Sequence, residues 1–201
     1  MKIFLASSNA GKLREYRELG AGTSLEIVLL PHLSQIGRFD ESASTFAENA
    51  AGKALHYSRH AKELVLADDS GLVVPALDGA PGVRSARYAG PSASDAENVR
   101  KLLREMEGKE GEQRRARFVC VIAVALGGRM LVVASDFAEG LIAKQASGAN
   151  GFGYDPVFFF PEAGRTFAEI SADEKNRHSH RGKALRRAVE FLIPTNLCVT
   201  K

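Results

Sequence analysis

The chain opens on a short apolar run, "KIFLA" (residues 2–6), which reads as a buried strand. A polar turn, "SSNAGK", follows. Leu13, Tyr16 and Leu19 then recur at helical spacing until Gly20 and Gly22 stop the pattern. "LEIVLL" (25–30) predicts a second strand, ended by Pro31, and "SQIGRFDESAS" is polar and loop-like. Thr45 and Glu48 form a capping box that predicts a helix over 46–62. "ELVLA" is a third strand with Asp68 and Asp69 at its C-terminal end, and "GLVVPAL" continues extended. "DGAPGVRSARYAGPS" is rich in turn residues.

Ser94 and Glu97 make a second capping box, ahead of an apolar face of Val99, Leu102, Leu103 and Met106. "ARFVCVIAVAL" is a strong strand, and Gly127-Gly128 reads as a hairpin turn into "RMLVVASDFAEGLIA". "GANGFGYDPVFFF" is a glycine-rich loop running into a strand, and the chain from Ser171 to about Leu192 reads as mostly helical. Helices alternating with strands, then a long hairpin, argue for an α/β or α+β domain with a mixed sheet, and an α/β fold with a mixed twisted sheet and flanking helices is the expectation. There is no internal repeat or linker, so a single domain over 1–201, with two lobes, is expected.

Composition narrows the class. The 201 residues are 45% hydrophobic and 25% charged, enough for one sizeable core. The net charge of +3 gathers in "EQRRARF" and "SHRGKALRR". That excess is too small to indicate nucleic-acid binding and suits a pocket for a small anion as well. Cys120 and Cys198 have no CxxC spacing, so two reduced thiols are expected rather than a disulfide or zinc site. "MKIFLASSNAGK" lacks the apolar core of a signal peptide, and "FVCVIAVAL" is too short for a membrane span. A cytoplasmic protein with no membrane partner is the expectation.

Four stretches can carry chemistry. "SSNAGK" joins a strand to a helix start, a setting for anion binding, and Lys12 adds positive charge. It is no P-loop: Ala6 stands where that motif needs glycine, and Leu13 where it needs Ser or Thr. A capped helix with a surface lysine reads equally well. In "ADDSGL", adjacent carboxylates on a strand point to opposite faces. One can then face a site while the other buttresses it; alternatively both cap backbone N–H groups in a turn. Two further acids, Glu41 and Glu48, could join them, and a cluster of oxygen ligands without a Cys or paired His suits Mg²⁺. Glu48 is better explained by its helix cap. "GFGYDP" (151–156) lets backbone approach a ligand, with Phe152 and Tyr154 able to stack on a base or to pack in the core. "DEKNRHSHRGKAL" (173–185) offers a dense set of donors across a helix–helix junction at Ser179.

Taken together and in order, "SSNAGK", "TFAENAAGKA", "ADDSGL", "APGVRSARYAG", "GFGYDP" and "SHRGKAL" closely resemble the inosine/xanthosine triphosphate pyrophosphatases of the Ham1 type, from residue 3 to about 192. The resemblance implies hydrolysis of ITP, dITP and XTP to the monophosphate and pyrophosphate. It also implies Mg²⁺ dependence, a homodimer, and two lobes around a central active-site cleft. Ser7, Ser8, Asn9, Ala10, Gly11 and Lys12 match the family's phosphate-binding turn, and Lys53 a second phosphate-facing lysine. Glu41 and Asp69 match its metal-linked acids, with Asp69 as general base and Ser70 touching substrate. Phe152, Gly153, Tyr154, Asp155, Lys175, His180 and Arg181 match its nucleotide-binding residues. One departure is the turn itself: Ser-Ser-Asn stands where many members have Thr-Gly-Asn. A septum-associated Maf-type pyrophosphatase and a non-catalytic nucleotide binder are the rival readings. "SHRG" and "GFGYDP" argue against the first, and an intact Asp69, Glu41 and Lys12 against the second.

Overall fold

The computed structural model describes residues 1–193. Its elements, in chain order, are β1 (Lys2–Leu5), α1 (Ala10–Gly20), β2 (Glu26–Leu29), α2 (Phe46–Ser58), β3 (Leu64–Val73), α3 (Asp95–Glu105), β4 (Arg115–Leu126), β5 (Arg129–Ile142), β6 (Phe158–Phe160), β7 (Arg165–Thr166), α4 (Ala172–His178) and α5 (His180–Leu192). The strands form a mixed sheet in the order β2-β1-β3-β4-β5-β6-β7. β1 runs parallel to β2 and β3, whereas β6 is antiparallel to both β5 and β7. This is the predicted α/β class. Cys198 lies outside the described residues. No helix among the described residues is long and apolar enough to cross a membrane.

The described residues divide into two compact units, one of residues 1–69, 120–136 and 181–193, the other of residues 70–119 and 137–180. In the first unit the central strands are apolar on both faces, as parallel strands covered by helices must be. Ile3, Leu5, Leu66, Cys120, Ile122 and Val124 pack with Tyr16 of α1 and with Ala184, Leu185 and Ala188 of α5. The intervening residues Phe4, Ala6, Val65, Ala67, Val121 and Ala123 pack with Ala50, Ala54 and Tyr57 of α2. The period of two therefore sorts even and odd residues of β3 between two helical layers. The second unit has an aromatic core, in which Phe118 lies 4.6 Å from Phe158 and Phe167 lies 4.8 Å from Phe158, ring to ring.

Two boundaries differ from the sequence reading. The helix expected over 46–62 ends at Ser58. There the N–H groups of His60 and Ala61 donate to the carbonyls of Tyr57 and Ser58, tightening the chain into an i→i+3 turn. The third strand does not stop at the aspartates but runs through them to Val73. Its pairing with β1 ends at Leu66, so Asp68 and Asp69 lie just past the C-terminal end of β1, level with the start of the polar turn. The two capping boxes also differ. Ser94 and Glu97 exchange both bonds, whereas Thr45 accepts from the Glu48 N–H and its hydroxyl donates to the Glu48 carboxylate. Gly127-Gly128 joins β4 to β5 as a two-residue turn, as expected.

Candidate active site

The alternation along β3 separates the two aspartates. Asp68 shares the face of Leu66 and points into the layer of α1 and α5, where it is wholly buried. Its Oδ2 lies 3.0 Å from Lys12 Nζ, 3.5 Å from Arg181 Nη2 and 3.8 Å from Cys120 Sγ. Arg181, 2% exposed, also pairs with the buried Glu15 of α1. Burial pushes the Asp68 carboxyl up, but the charges of Lys12, then Arg181 and Lys53, outweigh it and hold it at about 2. The same burial, with Asp68 adding to it, pushes the Cys120 thiol up to about 12, so the thiol stays protonated and can donate. Asp68 is thus a permanent buried anion with cations on two sides.

Asp69 faces the other way, toward α2. Its Oδ2 accepts a 2.9 Å hydrogen bond from Asn49 Nδ2. Burial is the largest influence on it and raises it above the usual carboxylate range. Asn49, Lys12 and Lys53 oppose that rise, and Glu41 adds to it. Asn49 and Lys53 are four residues apart and so share one face of α2. Lys53 Nζ lies 2.8 Å from Glu41 Oε2.

Glu41 has no regular element to hold it; the loop is pinned to α2 instead. His56 Nε2 lies 2.6 Å from the Gly37 carbonyl oxygen, and the Phe39 N–H donates to Tyr57 Oη at 3.3 Å. The Phe39 ring occupies the space a Cβ on Gly52 would fill. Asn49 grips Ala43 at both its N–H and its carbonyl, two residues beyond Glu41. Asn49 therefore joins the Glu41 loop to Asp69. Sequence reasoning missed this residue. An Asn inside a helix is a mild misfit, and that was the available signal.

The polar turn lies between β1 and α1. Asn9 caps α1, its Oδ1 accepting the Lys12 N–H at 3.0 Å, and Ser7 Oγ accepts the Asn9 N–H at 3.2 Å. Ser8, Asn9 and Ala10 are exposed, and Gly11 and Lys12 half-buried. The first N–H groups of such a helix have no acceptor within it and suit an anion. Lys12 reaches the Asp68 carboxylate and, at 3.4 Å, its carbonyl oxygen. An ammonium has a third donor to offer.

A divalent cation can be tested against this donor set. Among the described residues no cluster of three or more His, Cys, Asp or Glu side chains could cage a metal. Glu41 and Asp69 are linked through α2: Asn49 bonds Asp69 and the Ala43 backbone two residues beyond Glu41, and Lys53 of the same face pairs with Glu41. Two carboxylates, with further oxygens from water and phosphate, are the usual protein share of a Mg²⁺ site. The residues fit a hard cation that arrives with a phosphate ligand. They do not fit a soft metal.

The second unit holds the other expected residues. Asp155, 2% exposed, pairs with Lys175 and accepts the Phe152 N–H at 2.9 Å. The Lys175 ammonium lies 5.5 Å from the centre of the half-buried Phe152 ring and 5.7 Å from that of Phe167. Tyr154 is buried, and its hydroxyl donates to the Ser85 carbonyl at 2.8 Å, so it is a core residue with a polar tether. The Gly153 N–H donates to Asp95 Oδ2 at 2.7 Å. His180, also buried, stacks on Phe118 at 4.7 Å and 10°. Ser70, next to Asp69, is half-buried.

Gly151 is required at its position. Its φ is +76°, and a Cβ there would overlap Asp155 Oδ2. Gly151→Ala is expected to cost roughly 2 kcal/mol from left-handed strain and displacement of the Asp155 carboxylate. Urea unfolding of the variant checks this, and an unchanged midpoint would contradict it.

Comparison with known proteins agrees with this architecture. The profile of the Ham1 family matches residues 3–191. A Listeria monocytogenes protein named dITP/XTP pyrophosphatase is 47% identical over 200 residues, covering 100% of this chain and 98% of its own. One of the same name from Geobacillus kaustophilus is 51% identical, covering 94% and 93%. The solved structure of a HAM1 protein from Coxiella burnetii superposes with a TM-score of 0.84 at 42% identity, covering 96% of this chain and 99% of that one. On a match that spans both units and carries every motif above, the chain belongs to the Ham1 family.

Proposed function

We propose that this chain hydrolyses non-standard purine nucleoside triphosphates, ITP, dITP and XTP, to the monophosphate and pyrophosphate. The observation that carries the reading is the divided pair on β3. Asp68 is locked among buried cations, while Asp69, one residue on, is a carboxylate of raised pKa beside Glu41, Asn49 and Lys53. Relatives named dITP/XTP pyrophosphatase support the substrate class.

In this reading the turn of residues 7–12 and the start of α1 take phosphate oxygens, with Lys12 and Lys53 adding fixed positive charge. Asp69 orients a water and accepts its proton as the water oxygen bonds to the α-phosphorus. The bond from that phosphorus to the α–β bridging oxygen breaks, and pyrophosphate leaves with the electron pair. A carboxylate raised by burial is a better base near neutral pH than an ordinary one. Glu41 and Asp69 would hold Mg²⁺, which when bound neutralises charge on the phosphate oxygens. Arg181, with its guanidinium on Glu15 and Asp68, serves here by fixing Asp68 and, through it, Lys12.

Phe152, held beside Lys175 and Asp155, supplies a stacking face for any purine. Lys175 and His180 supply donors that suit the 6-oxo group of hypoxanthine and xanthine. Adenine presents a donor there, and a site built to hydrogen-bond a substrate group rejects the wrong one by about 10⁴-fold or more. The homodimer belongs to the same proposal. Purified protein with Mg²⁺ is expected to release pyrophosphate from ITP, dITP and XTP, with kcat/KM for ATP lower by about that factor and no turnover in EDTA. Equal turnover of ATP and ITP would overturn the base assignment.

A further inference from the structure

The turn-rich segment "APGVRSARYAG" and the start of α3 have no part in the chemistry above. We propose that Asp95 is a positioning residue that clamps the loop of residues 151–155 and so sets the Phe152 ring for the purine. This rests on the reading of Phe152 as the base platform.

Two successive amides of that loop are each held by an aspartate. The Phe152 N–H goes to Asp155, within the loop, and the Gly153 N–H goes to Asp95, outside it. Asp95 is the first residue of α3, and its backbone is fixed by the reciprocal cap between Ser94 and Glu97. α3 is in turn stapled to the preceding turn segment. Asn98 Oδ1 accepts the Ala89 N–H at 2.8 Å, its Nδ2 donates to the Ala86 carbonyl at 3.3 Å, and Lys101 Nζ donates to the Tyr88 carbonyl at 2.8 Å. The same segment holds the loop a second time: the Ser85 carbonyl accepts from Tyr154 Oη. Ser85 Oγ accepts the Leu72 N–H of β3 at 2.9 Å and donates to the Gly82 carbonyl at 2.7 Å.

The loop is thus tied to one rigid block at two adjacent residues, by a buried tether at Tyr154 and an exposed one at Gly153. Phe152 immediately precedes this pair. A hydrogen bond to a charged acceptor holds that amide more tightly than a neutral one would. Without it, the peptide following Phe152 is free to turn, and ring placement becomes a cost that each binding event must meet.

Asp95 is exposed, so its replacement leaves the core intact. Asp95→Ala is expected to raise KM for ITP about tenfold, with kcat changed less than about twofold, because the clamp acts on the base and not on the phosphates. Asp95→Asn keeps a neutral, weaker acceptor oxygen and should recover part of the affinity, which simple charge removal would not do. Hydrogen exchange of peptides spanning 151–155 should be about tenfold faster in Asp95→Ala than in wild type, with no nucleotide present. If wild type turns over ITP but KM is unmoved in Asp95→Ala, the proposal is wrong. It is equally wrong if Asp95→Asn behaves like Asp95→Ala. If wild type does not act on ITP, the reading of the base platform fails, and unchanged exchange in Asp95→Ala would overturn the clamp itself.

Discussion

Asp68→Asn is expected to lower the melting temperature by about 6–12 °C. The side chain is wholly buried and is the shared partner of Lys12 and Arg181. Removing one member of a buried ionic cluster strands the others, at a cost of about 3–5 kcal/mol. Lys12 is 13% exposed and recovers some hydration, and Arg181 keeps Glu15, which favours the lower end, about 3 kcal/mol. For a domain of this size each kcal/mol moves the midpoint by about 2–4 °C. The effect has a pH signature. The folded-state pKa is depressed to about 2, so the contribution of Asp68 is fully present above the ordinary carboxylate range and is lost as pH falls through about 2. Wild type and Asp68→Asn should therefore converge in stability between about pH 4 and pH 2. A variant as stable as wild type at pH 7 would remove Asp68 from this structural role.

Asp69→Asn, one residue away, is expected to do the reverse. Its turnover should fall by about 10²–10⁴-fold, the range for loss of a general base. Its stability should be unchanged or slightly higher. Asp69 is raised by burial and by Glu41, so ionising it opposes folding at neutral pH, and a neutral amide relieves that. The Asn oxygen can still accept from Asn49. Thermal unfolding and single-turnover rates on the same preparations separate the two residues. Near wild-type turnover would take Asp69 out of the mechanism.

The contrast between these neighbours was legible in the sequence. Strand alternation alone sends adjacent carboxylates to opposite layers, and "VLADDSGLVV" is apolar enough to be a strand buried on both faces. Which aspartate meets which layer was not legible; the fold decides it, with Leu66 and Ala67 packed in different layers. The partners were not legible. Glu15 in "KLREYRE" reads as an ordinary exposed helix charge, and its partner Arg181 is 166 residues away. The same holds for Gly153 and Asp95, 58 residues apart. Local pattern reports on the turn of chain around a residue, whereas these bonds depend on how separate segments pack. The setting of Arg181 was not legible either. A basic residue in "SHRGKALRR" looks solvated, and this one is among the most buried side chains of the molecule.

In the proposed reaction water attacks the α-phosphorus at the Asp69 face of β3, and pyrophosphate leaves intact. Hydrolysis of ITP in ¹⁸O-enriched water, followed by mass spectrometry of both products, tests it most directly. One solvent oxygen in the inosine monophosphate and none in the pyrophosphate is the expected result. Label in pyrophosphate, or orthophosphate as the first product, would contradict it.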